Sequence, residues 1–237
     1  MLTPDVRYPR MFIATRPLWV ARDLLKNHRS GFADAYLQGL DGIEIGASAA
    51  NDFRLRTVNV DKAENQIYRE EQLKLCGRVT PVDVVVPADD VLPFDDGSYD
   101  FVLASHVIEH MPDPVATLRD WARIARRYVF LVVPHRDRTF DRSRPLTTVD
   151  ELLDRHSHGF RSGEDRHWSV WTAESFLELC RAIGLSVLEY QDPDDKIGNG
   201  FAVLIDASVE GNDDPPRRRE PPPPYWRLVN RISLARP

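Results

Sequence analysis

Short, strongly apolar segments alternate along this chain with segments of helical periodicity, and this alternation restricts the fold more than any other feature. Residues 99–105 (YDFVLAS) and 128–133 (YVFLVV) are apolar almost throughout, as in strands that are covered on both faces of a parallel sheet. Between them, Asp113 can cap a helix whose first residue is Pro114 and whose apolar residues share one face. The sequence therefore predicts a strand, a helix and a second strand within an α/β layer.

Further strands and helices are expected on both sides of this unit. Apolar or alternating runs predict five more strands, at residues 42–47, 56–61, 81–86, 185–191 and 201–207. Another helix should begin at Thr172, with apolar residues on one face, and end at Gly184. The alternation of strands with helices predicts an α/β fold with a doubly wound, mostly parallel sheet.

The chain is expected to divide into a main domain with additions at both ends. Residues 1–40 are predicted to form two short N-terminal helices, and residues 41–208 the main domain. Residues 134–171 are rich in His, Arg and Asp and too long for a bare turn, so we expect a lid, because such loops are often functional. Residues 209–237 contain DDPPRRREPPPP and are predicted to be a proline-rich tail.

Bulk composition narrows the class of protein. The 237 residues suffice for one sizeable domain, and the formal net charge of -6 argues against general nucleic-acid binding, which needs a basic face. No apolar run approaches the roughly 20 residues that span a bilayer, and the N-terminal residues lack the apolar core of a signal peptide. We therefore expect a cytoplasmic protein with no membrane span, and the sequence leaves a homodimer open.

The stretch LPFDDGSYDFVLASHVIEHMPDP, which begins at Leu92, carries a family resemblance. Its LPF and SYD elements and the following Glu109–His110 pair resemble class I S-adenosylmethionine-dependent methyltransferases. The resemblance implies a Rossmann-like sheet of seven strands with an antiparallel terminal strand, a lid insertion after strand five, and S-adenosylmethionine as the cofactor. In that family the Glu-His pair more often organises the start of a helix than performs catalysis.

The resemblance also implies where the cofactor binds. The candidate cofactor-binding residues are small residues and acids that follow the strands: Glu44, Gly46, Ala47, Ser48, Asp61, Asp89 and Ser105. Small side chains after the first strand let the backbone approach a cofactor closely, although the family usually carries more glycines there and a plain tight turn would look similar. Asp61 ends the second strand, where a carboxylate can accept hydrogen bonds from both ribose hydroxyls. Asp89 is the candidate for the adenine amino group, and Ser105 borders the methionine part.

Two histidines follow the central strands at the edge of the sheet where ligands bind. Methyl transfer to a hydroxyl requires a base, and neutral imidazole suits that role near physiological pH. His106 and His135 are therefore predicted to be catalytic, with His135 as the leading general base. Arg136 and Arg138 are predicted to bind substrate, since they could hold an anionic acceptor, or they could pair with neighbouring acids in a solvated lid.

His167 and Trp168 are further candidates for substrate binding, because an aromatic face beside polar groups suits a sugar or a planar ligand. Trp168 and Trp171 could instead anchor the lid to the core. Some sugar and catechol methyltransferases bind magnesium with acids beyond strands four and five. The nearest candidates here are Asp137 and Asp141, but they form no compact metal motif, so the sequence leaves the metal requirement undecided.

The polar and aromatic lid leads to a narrower hypothesis about the acceptor. It is similar to lids of enzymes that methylate sugar hydroxyls, such as those of mycobacterial methylmannose polysaccharide synthesis. The resemblance thus predicts an O-methyltransferase that acts on a hydroxyl of a sugar or oligosaccharide, with a histidine base. Two alternatives stay open: transfer to another small acceptor (phenol, quinone precursor, amine or carboxylate), or a cofactor-binding module without catalysis.

Overall fold

The computed structural model describes residues 29–50, 53–63, 66–77 and 79–208. The first predicted N-terminal helix and the predicted proline-rich tail lie outside these residues. The strands are β1 (Asp41–Ile45), β2 (Arg56–Asp61), β3 (Val84–Val85), β4 (Tyr99–Ser105), β5 (Ala125–Pro134), β6 (Ser186–Gln191) and β7 (Gly200–Asp206). The α-helices are α1 (Gly31–Leu37), α2 (Gln66–Cys76), α3 (Pro114–Ile124), α4 (Val149–Ser157) and α5 (Ala173–Ala182), and short 3-10 turns occupy Ile108–His110, Arg136–Arg138 and Phe140–Ser143.

The seven strands form one sheet in the order β3-β2-β1-β4-β5-β7-β6. The pairs within β1 to β5 are parallel, whereas β7 runs antiparallel to both β5 and β6. This topology confirms the predicted mostly parallel α/β sheet with antiparallel strands at its end. Strand order reverses between β1 and β4, and ligands of open α/β sheets bind at the carboxyl ends of the strands at such a point.

Both faces of the sheet are covered, as the apolar strands require. One face packs against α3 and α5 through residues such as Trp121 and Phe176. The other face packs against α1, where the Phe32 ring meets the Phe130 ring at a centroid distance of 5.3 Å. Each of these large side chains contributes about 1.5–3 kcal/mol when it is removed from water. The central strands are therefore a rigid support for the groups that follow them.

The helix between β4 and β5 begins as its sequence predicts. The Asp113 carboxylate accepts a hydrogen bond from Ala116 N at 3.0 Å, and Pro114 is the first helical residue. At the start of α5, Thr172 and Ser175 exchange hydrogen bonds with each other's backbone N–H groups. Both caps stabilise the first turns of the helices that pack against one face of the sheet.

Strand β3 and helix α4 differ from the sequence expectation. Strand β3 pairs over only two residues, whereas residues 81–86 were expected to form a strand. Pro81 has no N–H to donate, and the Asp83 carboxylate accepts from Asn59 N at 2.8 Å, so the strand begins late. Helix α4 lies inside the predicted lid and anchors it through the fully buried Leu152. No helix in the described part of the chain is long and apolar enough to cross a membrane.

Candidate functional site

The loop after β1 passes very close to the segment after β4. Gly46 has a φ of +74°, and a Cβ placed there would lie 2.5 Å from Cγ2 of Val107. Its N–H donates to Val60 O at 2.8 Å, which ties the loop to β2. Only glycine accommodates both the positive φ and this approach. The predicted role of Gly46 as a backbone contact for a cofactor is compatible with this geometry.

Ser48 and Asp61 meet beside this loop. Ser48 N donates to Asp61 Oδ2 at 2.9 Å, and Lys62 N donates to Asp61 Oδ1 at 2.6 Å. Each carboxylate oxygen retains a further lone pair. The buried Ser48 Oγ has no hydrogen-bond partner among the described residues. A carboxylate with spare acceptors and an unsatisfied hydroxyl fit a ligand that carries hydroxyl and amino groups, as S-adenosylmethionine does.

The other cofactor candidates lie less close together. Glu44 is buried and accepts from Thr57 Oγ1 at 3.3 Å, so it also holds β1 to β2. Ala47 lies in the same loop, which the Asn59 side chain fastens by donating to Ser48 O at 2.7 Å. Asp89 is only half-buried, and its carbonyl oxygen accepts from Arg161. An adenine contact of Asp89 therefore remains a prediction.

His106 stands at the end of β4 in a constrained conformation. Its φ is +57°, an uncommon value for a residue with a side chain and one that concentrates at functional sites. Nε2 lies 3.1 Å from Asn199 Oδ1, and Nδ1 lies 3.3 Å from Ser105 Oγ. Since Asn199 Oδ1 can only accept, Nε2 carries the proton and Nδ1 has the lone pair. Burial lowers the pKa of His106, which favours the neutral ring.

Asn199 is a further candidate site residue that the sequence did not reveal, and a buried carboxylate positions its loop. Asp194 Oδ1 accepts from the backbone N–H groups of Lys196 and Ile197, at 3.0 and 2.6 Å. Asp194 Oδ2 accepts from those of Gly198 and Gly200, at 3.0 and 2.9 Å. These four bonds fix the loop between β6 and β7. The two glycines were the one sequence signal of a tight connection here.

His135 also contacts Asn199, but through its backbone, and its ring has other hydrogen-bond partners than the ring of His106. Its backbone N–H donates to Asn199 O at 3.1 Å. Its Nδ1 accepts from Asp137 N at 3.1 Å, so the neutral ring carries its proton on Nε2. Burial lowers the pKa of His135 as well. In this arrangement Nε2 is a hydrogen-bond donor and Nδ1 is held by a backbone N–H, so His135 fits the predicted role of general base less well than His106.

The two arginines predicted to bind substrate are already paired. Arg136 Nε lies 2.8 Å from Asp137 Oδ1, and Arg138 bonds the Asp192 carboxylate and Gly200 O, the latter at 2.9 Å. These contacts agree with the alternative of a lid whose charges pair internally. A role in holding an anionic acceptor remains a prediction.

His167 and Trp168 return from the lid to the end of β4. Trp168 N donates to Glu109 O at 2.7 Å, and the indole ring is covered by the Arg166 guanidinium, 3.7 Å from its centroid. His167 Nδ1 lies 2.6 Å from Asp141 Oδ2. Trp171 is almost fully buried, so this tryptophan anchors the lid. The sequence did not predict that His167 would approach Glu109.

Comparison with known proteins identifies the family. A model of the methyltransferase domain family matches residues 38–190, which contain the loop after β1, Asp61 and the His106 region. The chain belongs to the class I S-adenosylmethionine-dependent methyltransferases. The cofactor is therefore S-adenosylmethionine. Its binding by the small-residue loop and Asp61 remains a prediction.

One curated protein is similar to part of this methyltransferase. The chain is 30% identical over 156 residues to the 2-methyl-6-phytyl-1,4-hydroquinone methyltransferase of Synechocystis, a match that covers 61% of this chain and 44% of that protein. The chain thus spans less than half the length of this curated relative.

Two solved structures are also similar to the methyltransferase. One is a methyltransferase from Thermotoga maritima, with 16% identity, 82% of this chain and 97% of that chain covered, and a TM-score of 0.49. The other is magnesium protoporphyrin IX methyltransferase from Synechocystis with bound S-adenosylhomocysteine, with 13% identity, 86% and 90% covered, and a TM-score of 0.46.

Proposed function

We propose that this methyltransferase transfers a methyl group to a hydroxyl of a sugar or oligosaccharide, with His106 as the general base. S-adenosylmethionine, when bound, supplies an electrophilic methyl group on a sulfonium. The hydroxyl oxygen attacks well only as its proton leaves, so the chain has to provide a base within reach.

The bonding of His106 is the observation that carries this proposal. The ring donates from Nε2 to Asn199 Oδ1, which makes Nδ1 the accepting nitrogen. Nδ1 faces the Ser105 hydroxyl at 3.3 Å, and since a hydroxyl can rotate away, an acceptor hydroxyl can take its place and give up its proton to Nδ1. Because burial lowers its pKa, the ring is neutral at physiological pH. It also follows β4 at the point where the strand order reverses. His135 complements it, since its Nε2–H can donate to an acceptor oxygen.

The surroundings favour a polar acceptor. His135, Arg136 and Arg138 follow β5 on one short segment, and all present hydrogen-bonding groups. The ring of Phe140 is 77% exposed and lies 4.6 Å from the His167 ring, measured between centroids. An aromatic face beside hydrogen-bonding side chains suits the apolar face and hydroxyl edge of a sugar ring.

A phenol or hydroquinone hydroxyl is the second candidate, favoured by the similarity to the Synechocystis hydroquinone methyltransferase. Phenols lose their proton far more readily than sugar hydroxyls, since a phenol pKa is about 10. The two candidates therefore differ in how much they depend on a base.

An acceptor panel tests the proposal. The purified full chain is incubated with labelled S-adenosylmethionine and with mannosides, partly methylated mannosides or hydroquinones, and products are identified by mass spectrometry. We expect O-methylated sugar. If hydroquinones are methylated and the sugars take up no label, the sugar proposal is wrong. If the cofactor binds but no acceptor is methylated, a non-catalytic module is favoured.

Matched histidine variants test the base. His106→Gln can keep the bond to Asn199 through its amide, but it has no basic nitrogen. Turnover on a sugar should fall by about 10²–10⁴-fold, with unchanged cofactor affinity by calorimetry. His158→Gln changes an exposed histidine and should leave both values unchanged. His135→Asn, whose Oδ1 can accept from Asp137 N as Nδ1 does, should lower turnover less than His106→Gln; the reverse order would return the base role to His135.

A further inference from the structure

The carboxylate of Glu109 is fully buried, and neither of its oxygens has a hydrogen-bond partner among the described residues. A buried carboxylate without a compensating partner is costly. The residue is also held in place, because its carbonyl oxygen accepts from Trp168 N and Ser169 N at 2.7 and 3.2 Å. Its side chain thus needs a compensating group that the described side chains do not supply by hydrogen bonding.

Two imidazoles turn toward this carboxylate. The Nε2 atoms of His110 and His167 each lie 3.9 Å from Glu109 Oε1. The two rings are 4.7 Å apart between centroids and nearly perpendicular. One ligand atom from each of the three residues lies within 4.8 Å of the other two. Three potential ligands therefore converge on one point.

Both imidazoles are oriented from behind by acids. His167 Nδ1 lies 2.6 Å from Asp141 Oδ2, and Arg144 holds the other oxygen of that buried carboxylate at 2.6 Å. His110 Nδ1 lies 2.9 Å from Asp165 Oδ1, in a contact that is poorly aligned for a hydrogen bond. Ligating histidines commonly present one ring nitrogen to a metal and the other to a carboxylate, which sets the tautomer.

We propose that Glu109, His110 and His167 bind a divalent transition-metal ion, with zinc as the ion that this ligand set suits best. Two imidazole nitrogens and one carboxylate oxygen form a common zinc ligand set, with a fourth position open to water or an acceptor oxygen. Ligand bonds of about 2.0–2.2 Å place tetrahedral ligand atoms roughly 3.4 Å apart. The two distances of 3.9 Å to Glu109 Oε1 therefore need to shorten by about half an ångström, and the third, which is at most 4.8 Å, by no more than about 1.4 Å. The ion would compensate the buried carboxylate and tie the lid residue His167 to the end of β4.

This ligand set does not favour magnesium, which prefers oxygen ligands. The acids that the sequence analysis considered for magnesium have other tasks in the structure. Asp137 is exposed and pairs with Arg136, and Asp141 orients His167. The inference is independent of the acceptor and of the role of His106, because it concerns binding of the metal alone.

Metal titration of the full chain tests the proposal. After treatment with a chelator, the protein is titrated with Zn²⁺ by calorimetry and with Co²⁺ by absorption spectroscopy. We expect one ion per chain, bound with a dissociation constant of about 1 µM or tighter, and a visible Co²⁺ spectrum typical of four or five ligands. Zinc should also raise the Tm of the wild-type protein, because it binds the folded state.

Variants separate this site from adventitious binding. Glu109→Gln and His167→Gln should each weaken Zn²⁺ binding by at least about 100-fold, and Asp141→Asn by about 10–100-fold. His158→Gln, at an exposed histidine, should bind Zn²⁺ like the wild type. Millimolar binding only, unchanged affinity in Glu109→Gln and His167→Gln, or no shift in Tm at saturating Zn²⁺ would each overturn the site. The wild-type Tm shift and Asp141→Asn keep the test decisive if Glu109→Gln does not fold.

Discussion

The side of this site that we propose for the cofactor and the side that we propose for the acceptor, called here the cofactor side and the acceptor side, are built in different ways. On the cofactor side, the backbone of one loop and a carboxylate at the end of the next strand do most of the positioning, through Gly46, Ser48 and Asp61. On the acceptor side, side chains from distant segments meet, as His106 does with Asn199 and Glu109 with His167. The first arrangement tolerates few backbone changes, whereas the second depends on tertiary contacts that fix individual side chains.

Among changes to the backbone, the largest expected effect lies on the cofactor side. In Gly46→Ala the added Cβ meets Val107 at 2.5 Å and φ is positive, so the loop has to shift. A misplacement of about 1 Å can cost 10²-fold in catalytic rate, and we expect calorimetry to show that cofactor affinity falls by a factor of the same order. Gly184→Ala has a similar φ of +79° but no atom within 4 Å, so it should bind normally. Equal affinities would contradict the close-approach argument.

The loop that carries Asn199 should be next most sensitive. Asp194→Asn replaces an oxygen that accepts from two backbone N–H groups with a donor. We expect the free energy of unfolding to fall by about 3 kcal/mol or more, because two hydrogen bonds to a charged group are lost and each contributes about 1.5–3 kcal/mol. Denaturant unfolding measures this change. Asp206→Asn, whose carboxylate bonds only the exposed Ser208, should lose far less; similar losses would mean that the four bonds of Asp194 do not hold the loop.

A smaller effect is expected from pH. Burial lowers the pKa of His106 below 6.5, His167 and His110 lower it further, and Asn199 and Asp194 oppose this shift. The neutral base therefore persists below pH 6.5, and its acidic limb in kcat/KM should lie below that value. Its contribution to stability is complete above pH 6.5 and is lost as pH falls through the folded-state pKa. Profiles of kcat/KM between about pH 5 and pH 8 check this. If the wild-type enzyme showed an acidic limb with its midpoint above pH 7, and His106→Gln lacked that limb, His106 would not be a buried neutral base.

The smallest effect should come from the exposed charges of the lid. Arg136 pairs with Asp137 in an exposed contact, and such pairs contribute little. For a neutral sugar we expect Arg136→Gln to change KM by less than about threefold. An increase in KM above tenfold, measured with the acceptor found in the panel, would instead indicate that Arg136 binds an anionic acceptor.

Much of the fold could be predicted because its signals are local. The strands β4 and β5 are continuous apolar runs, and the cap at Asp113 needs only the next three residues. Asp61 was found in the same way, as an acid at the end of a predicted strand. Strand β3 was predicted too long, since its pairing depends on how Asn59 contacts Asp83.

The acceptor side could not be predicted to the same extent, because its contacts join segments far apart in the chain. No residue near His106 in the sequence indicates that Asn199, 93 positions away, fixes the tautomer of the His106 ring. Glu109 was recognised only as part of a family pair, and its burial beside His167 follows from the return of the lid to β4. Helix α4 was missed because charged residues dominate it and Leu152 alone is buried.

The lid ends where it starts. His135 and Trp171 form a parallel bridge, and Arg136 N donates to Trp171 O at 2.8 Å. Everything between these two residues is thus a closed excursion from the carboxyl end of β5, in the manner of a compact surface loop. Because the two ends meet, an insertion of a different length can replace residues 137–170 without changing the strand order. If the lid selects the acceptor, as we propose, that selection belongs to an insertion whose two ends meet at one point of the sheet, while contacts such as Trp168 N with Glu109 O hold its interior in place.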